Sequence, residues 1–80
     1  MTPLLPVLVE WVDACNGSKG WASHERLKAE VLRPIRSAGL LLQETETQVT
    51  LVMSAEGDRA ADTLHIPRGC VRSITRLVGA

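Results

Sequence analysis

The fold is decided by residues 63–78, which read TLHIPRGCVRSITRLV. A run rich in β-forming residues ends at Pro67, Gly69 follows, and a second short alternating run begins at once. Pro67 fixes its own φ and cannot donate to a strand ladder, while Gly69 can take φ values that other residues avoid. Such a hinge, expected as a single 3₁₀-like turn at residues 67–69, lets one strand turn a sharp corner into the next, which predicts the closing turn of a small β-barrel.

The rest of the chain supplies the other strands of this barrel. Alternation of apolar and polar residues predicts strands at 7–14, 35–44, 48–55, 63–66 and 71–77. Gly39, inside the second strand, indicates a bulge or a strong bend. Residues 56–62 are predicted to form a flexible polar loop. We therefore expect residues 1–80 to form one mainly β domain, a five-stranded antiparallel barrel.

One short segment after the first strand favours a helix. Residues 23–30 begin with Ser23, a preferred N-cap residue, and Leu27 and Val31 would share one apolar stripe. The segment is too short to be stable alone, so a structured loop is the alternative. Pro34 ends any helix at or before the preceding residue.

The apolar residues form a thin core. The chain has no Phe and no Tyr, and Trp11 and Trp21 are its only aromatic residues. Trp11 alternates with Val7 and Val9, so we expect it in the core. A single core in a chain of this length supplies only about 3–5 kcal/mol. The composition therefore predicts a homo-oligomer that buries edge strands or the Trp21 loop between subunits.

The charges are balanced in total but unevenly placed. Nine basic residues match nine acidic ones, and this balance disfavours binding to an extended nucleic acid, whose affinity comes largely from phosphate neutralisation. Residues 43–62 hold five acidic side chains and one arginine, whereas residues 65–80 hold three arginines and no acid. A basic end on a neutral chain fits a compact anion better than a polymer.

No segment predicts export or membrane insertion. The sequence has no run of 18 apolar residues, and residues 1–6 show neither a basic n-region nor a cleavage site. We therefore expect a cytoplasmic protein in which Cys15 and Cys70 are reduced, half-buried or buried thiols.

Three short stretches carry a family resemblance: residues 9–14 followed by Gly20 and Trp21, residues 37–41, and residues 66–77. In order and spacing they resemble small, mostly uncharacterised bacteriophage proteins, and the last stretch resembles the final two strands of Sm-like and SH3-like barrels. The resemblance implies an Sm-like/SH3-like β-barrel in the cytosol of an infected host cell. Small phage proteins of this size include oligomeric sponges that sequester nucleotide signals of bacterial immunity, whereas Sm-like proteins form rings that bind RNA.

Candidate ligand-binding residues follow from the chemistry of anion recognition. Guanidinium groups bind phosphate through a bidentate fork, and a tryptophan in a loop can stack on a base. The alternative for the arginines is a solvated strand edge, and for Trp21 a cap over the barrel. The candidate ligand-binding residues are Trp21, Arg36, Ser37, His65, Arg68 and Arg72.

Metal binding and catalysis have little support in the sequence. Cys15, His24, His65 and Cys70 match no standard zinc-site spacing. No nucleophile motif accompanies the Cys and His residues, so we expect no metal, no cofactor and no enzymatic activity. The leading hypothesis is a non-enzymatic, oligomeric, phage-type protein that binds a compact anion such as a nucleotide near subunit interfaces. The alternatives are a protein-interaction or assembly module and an Sm-like RNA-binding protein.

Overall fold

The structure is a computed structural model that describes residues 3–14, 17 and 19–78. Cys15, one of the two predicted thiols, lies outside the described residues, as do parts of the loop that follows the first strand. The elements are β1 (Leu5–Val12), α1 (His24–Ala29), β2 (Pro34–Glu44), β3 (Gln48–Glu56), β4 (Arg59–Pro67), a 3₁₀ turn (Arg68–Cys70) and β5 (Val71–Arg76). The prediction of a mainly β chain with five strands in this order is confirmed.

The five strands form one antiparallel sheet in the order β4-β3-β2-β1-β5. Strand β2 joins its two halves, because residues 34–41 pair with β1 and residues 40–44 pair with β3. No ladder joins β4 to β5 within the described residues, so the sheet is not closed by hydrogen bonds. The sheet is nevertheless strongly bent, since Val9 on β1 and Ile66 on β4 share one core cluster although two strands separate them.

The core of this bent sheet is small. Its fully buried apolar side chains are Val7, Val9, Val49, Leu51, Val52 and Ile66. Trp11 packs against this cluster, as predicted, and its Nε1 donates to Ser37 Oγ at 3.1 Å. The free thiol of Cys70 also packs against the core and is half-buried. A core of aliphatic residues this size gives only modest stability.

The Pro67 hinge is present, but Gly69 plays a different part from the one predicted. Strand β4 ends at Pro67, and the 3₁₀ turn leads directly into β5, which pairs with β1. The positive-φ glycines of the described chain are Gly20 and Gly57. Gly69 is not among them, because a 3₁₀ turn uses ordinary negative φ values.

The predicted loop at 56–62 is wrong. Strands β3 and β4 are joined by a two-residue hairpin turn, with Glu56 directly opposite Arg59. Gly57 takes φ +59° at the first turn position, where glycine is favoured in tight hairpins. The start of β4 was missed because residues 59–62 are small or charged and show no apolar alternation.

The bulge predicted at Gly39 lies instead at Leu42, where the β2–β3 register shifts between Leu41 and Gln43. Gly39 itself pairs regularly with Val7. A Cβ atom there would lie 3.2 Å from the carbonyl oxygen of Val52. The glycine therefore allows β2 and β3 to approach closely.

The helical alternative for residues 23–30 is confirmed. Helix α1 is capped by Ser23, whose Oγ accepts a hydrogen bond from the backbone N–H of Arg26 at 3.2 Å. None of its residues is buried, and it packs closely against none of the strands.

Candidate anion-binding groove

Three arginines border one groove at the end of the sheet where β1 begins and β2 ends. The groove has a volume of about 500 Å³. We call it the arginine groove; its lining residues are Val7, Leu41, Glu44, Arg68, Val71, Arg72, Ser73, Ile74 and Arg76. Its lining combines the apolar side chains of Leu41, Val71 and Ile74 with three guanidinium groups and one carboxylate. This combination suits an anion with an attached apolar or planar part.

Local backbone geometry places each arginine. Arg68 is the first residue of the 3₁₀ turn, and its backbone N–H donates to the carbonyl of Thr47 at 2.9 Å. Arg76 lies opposite Val7 on β1. Arg72 falls where the β1–β5 register shifts between Glu10 and Trp11. A register irregularity of this kind can re-aim a side chain, so Arg72 is not fixed by a regular cross-strand neighbour.

The electrostatics of the arginine groove distinguish its three arginines. Arg68 Nη1 donates to a carboxylate oxygen of Glu44, and both side chains are a little over two-fifths exposed. An ion pair this open to solvent contributes about 0–1 kcal/mol to stability, so its main effect is to hold Arg68 in place. Arg72 and Arg76 have no carboxylate partner within the described residues. Their guanidinium groups are free to bind an external anion.

The structure does not bring all six predicted ligand-binding residues together. Arg68 and Arg72 meet in the arginine groove. Arg36 lies opposite Glu10 in the β1–β2 ladder, and its Nε is 3.8 Å from that carboxylate. The hydroxyl of Ser37 accepts the hydrogen bond from Trp11. Neither Arg36 nor Ser37 lines the arginine groove.

Trp21 also lies apart from the arginine groove. It is in the connection between β1 and α1, and its side chain is fully exposed. A stacking role in this groove is therefore not supported by its position.

His65 belongs to a separate polar cluster on the opposite face of β4 from Ile66. Thr50 Oγ1 accepts hydrogen bonds from the side-chain amides of Gln43 and Gln48, each at 3.2 Å. The same hydroxyl lies 3.0 Å from His65 Nδ1. The two amides fill both acceptor positions of the hydroxyl, so its one proton is left for His65, and Thr50 is assigned as donor and Nδ1 as acceptor. His65 is thus a hydrogen-bond partner of the fully buried Thr50 and does not line the arginine groove.

Glu44 and Arg76 were missing from the predicted site. Glu44 could be found only from the pairing of the strands. It lies opposite Val49 on β3, and Val49 in turn lies opposite Ile66 on β4. Because Ile66 is two residues before Arg68, these pairings bring Glu44 close to Arg68. Arg76 shares a face with Arg72 if β5 alternates regularly, but the register shift at Arg72 interrupts that alternation. Sequence spacing alone could not show that residues of β5 and of the end of β2 line one groove.

A second groove, of about 530 Å³, lies between the chain start and the β3–β4 hairpin turn. It is lined mostly by apolar residues, among them Leu4, Leu40 and Leu42, and Arg59 is its only basic residue. It lacks the cluster of cations that distinguishes the arginine groove. We therefore place the candidate anion site in the arginine groove.

Comparisons with known proteins give no match. No protein-family model matches the sequence, no curated protein matches it, and no solved structure matches the fold. Within residues 3–14, 17 and 19–78, no three His, Cys, Asp or Glu side chains are grouped so that they could hold a metal ion. In the same part of the chain, no helix is long and apolar enough to cross a membrane.

Proposed function

We propose that this protein is a non-enzymatic binding protein for a compact phosphorylated anion, held in the arginine groove. The observation that carries the proposal is the pair Arg72 and Arg76, whose side chains line one groove and have no carboxylate partner in the described chain. Arg68, held by Glu44, adds a third cation. Guanidinium groups bind phosphate through two parallel hydrogen bonds, which gives both affinity and orientation.

The ligand class we favour is a nucleotide. The half-buried side chains of Leu41, Val71 and Ile74 also line the groove, and a base or ribose would pack against them while the arginines bind the phosphates. The neutral total charge of the chain favours such a compact ligand over an extended nucleic acid. This groove is lined by one chain, so in this proposal each subunit binds its own ligand.

The biological role we propose is sequestration of a nucleotide signal of bacterial immunity by a phage-encoded protein in the host cytosol. This part of the proposal is supported by the resemblance of residues 9–14, 37–41 and 66–77 to small phage proteins. The finer fold assignment, an Sm-like/SH3-like barrel, is supported by two features of the sheet. Strand β5 returns to pair with β1, and a single 3₁₀ turn separates β4 from β5.

Titration calorimetry with a panel of mono-, di- and cyclic nucleotides and inorganic phosphate tests the proposal. Replacement of Arg72 or Arg76 by Ala removes a charge-assisted hydrogen bond, worth about 1.5–3 kcal/mol, so we expect affinity to fall roughly tenfold to a hundredfold. The matched control is Arg36→Ala, which removes an exposed arginine outside the arginine groove. Wild-type binding that Arg36→Ala weakens as much as Arg72→Ala would refute the assignment of the groove.

Failure of the wild-type protein to bind any member of the panel would refute the nucleotide proposal. Salt-sensitive binding to single-stranded RNA in place of nucleotides would favour an Sm-like RNA-binding protein. The same Arg72→Ala and Arg36→Ala pair would then show whether the RNA uses the arginine groove.

A further inference from the structure

Two parts of the chain lie outside the core cluster and adjoin the rest of the sheet only along their edges. The first is the arm, residues 19–33, which contains α1 and lies between β1 and β2. The second is the distal hairpin, residues 53–64, where β3 and β4 pair only with each other because the pairing of β3 with β2 stops at Val52. A six-residue helix and a two-stranded hairpin are each only marginally stable in water on their own. Both segments therefore need a surface to pack against.

The size of the molecule shows how much surface is left uncovered. Its accessible surface is 6670 Å², whereas a compact protein of its mass exposes roughly 4,700 Å². The radius of gyration is 16.5 Å, against about 12 Å for a compact chain of this length. The excess of roughly 2,000 Å² is larger than the approximately 800 Å² that each partner loses in a standard interface. A standard interface with a second copy would therefore cover somewhat less than half of this excess.

Both parts carry exposed apolar side chains. The arm exposes Trp21 completely and Val31 and Leu32 in large part. On the distal hairpin Met53 is 73% exposed and Leu64 is 37% exposed. By strand alternation Met53 lies on the same face as the core residue Leu51, and Leu64 lies directly opposite Leu51. This face of the distal hairpin thus continues the core without a cover.

The charges of the two parts are complementary. The arm has four basic and two acidic side chains, and the distal hairpin has three acidic and one basic. Opposite electrostatic potentials on two surfaces of one chain favour contact between two copies and help to fix how the two surfaces align. Each copy offers one arm and one hairpin, so two copies can satisfy each other reciprocally.

We propose that the protein forms a dimer in which the arm of each copy packs on the distal hairpin of the other. Trp21, Val31 and Leu32 cover the face of Met53 and Leu64, while the basic residues of the arm lie at the edge of the hairpin turn, where Glu56 and Asp58 are exposed. The inference does not rest on the anion proposal, because the arginine groove is lined by residues outside both parts.

Sedimentation equilibrium of charge-reversed variants tests this pairing. The arm variant carries Arg26→Glu and Lys28→Glu, the hairpin variant carries Glu56→Lys and Asp58→Lys, and Glu46→Lys in the β2–β3 turn is the control. All five residues are exposed. We expect the wild type and the control to sediment at about twice 8.7 kDa. In each charge-reversed variant, like charges meet at both contacts, so its dimer should dissociate at least roughly tenfold more readily.

The decisive sample is an equimolar mixture of the two charge-reversed variants. In a mixed dimer, the acidic arm of one chain meets the basic hairpin of the other, and the second contact keeps its original charges. We therefore expect the mixture to regain wild-type association even though each variant alone is weakened. This recovery cannot be explained by misfolding of either variant.

Three results would overturn the proposal. The first is a wild type that stays monomeric throughout the micromolar range, whether or not its arm folds onto its own hairpin. The second is a dimer that neither variant weakens. The third is a mixture that associates no better than its components.

The fluorescence of Trp21 gives a second measurement. In a Trp11→Phe background Trp21 is the only indole, and it is fully exposed in a single chain. We expect its emission to shift to the red on dilution as the dimer dissociates. Emission typical of exposed tryptophan at every concentration would contradict the proposed packing of Trp21.

Discussion

Replacement of Gly39 by Ala tests whether the close approach of β2 and β3 is real. The new Cβ would lie 3.2 Å from the carbonyl oxygen of Val52 and 3.3 Å from Leu51 Cβ. Neither atom is the far end of a flexible side chain, so the strands must move apart by a few tenths of an ångström. Overpacking of this kind costs about 1–3 kcal/mol. Ala also lowers the conformational entropy of the unfolded chain, which stabilises the folded state by about 0.4–1 kcal/mol.

The net expectation for Gly39→Ala is a loss of about 1–2 kcal/mol in the free energy of unfolding. The assay is urea unfolding at one fixed protein concentration, followed by far-ultraviolet circular dichroism. Thermal unfolding should show the same order, with the Tm falling by about 4–8 °C for each kcal/mol.

Gly69→Ala is the matched control. Gly69 has a negative φ, and a Cβ there would meet no atom within 4 Å. We expect this variant to unfold like the wild type or to gain up to about 1 kcal/mol. If Gly39→Ala has the same free energy of unfolding as the wild type, or changes it by the same amount as Gly69→Ala does, the close-approach argument is refuted.

Three further predictions concern the core, the polar cluster and the arginine groove. Ile66→Ala empties the centre of the core and should cost about 2–5 kcal/mol in urea unfolding; a loss below 1 kcal/mol would mean that the core lies elsewhere. Thr50→Val removes a hydroxyl whose Gln and His partners can form hydrogen bonds with water instead, so the free energy of unfolding should fall by only about 0.5–1.5 kcal/mol. A fall above about 3 kcal/mol would show that these partners are not satisfied by water. Glu44→Gln should change the free energy of unfolding by less than about 1 kcal/mol. Because it removes the only acid that lines the arginine groove, it should also tighten phosphate binding in calorimetry. Weaker binding would show that Glu44 contacts the ligand.

Much of the fold could be predicted from local sequence signals. Period-two alternation located the strands, Pro67 marked the corner before β5, and Ser23 marked the start of α1. These signals work because each depends on residues close together in the chain. The hairpin turn at Gly57 and Asp58 was missed because β4 begins with Arg59 and two alanines, which satisfy the ladder without alternating in polarity.

The site was predicted less completely, because it depends on which strands become neighbours. Arg68 and Arg72 were identified from their charge and position, but Glu44, the partner of Arg68, comes close to it only through the pairing of β2, β3 and β4. Arg36 was assigned to the site by proximity to Gly39 in sequence, yet it lies opposite Glu10 and away from the groove. Side-chain chemistry can be read from sequence, whereas convergence of distant residues requires the register of the sheet.

Nuclear magnetic resonance of the arginine side chains is the most direct test of the anion-binding groove. Inorganic phosphate, and then the nucleotide that binds most tightly, would be titrated into isotopically labelled protein while the guanidinium Nε–H signals are observed. Binding in the arginine groove predicts that the signals of Arg72 and Arg76 shift and saturate together, while that of Arg36 stays unchanged. Saturating shifts centred on Arg36 or Arg59, with Arg72 and Arg76 unmoved, would contradict it.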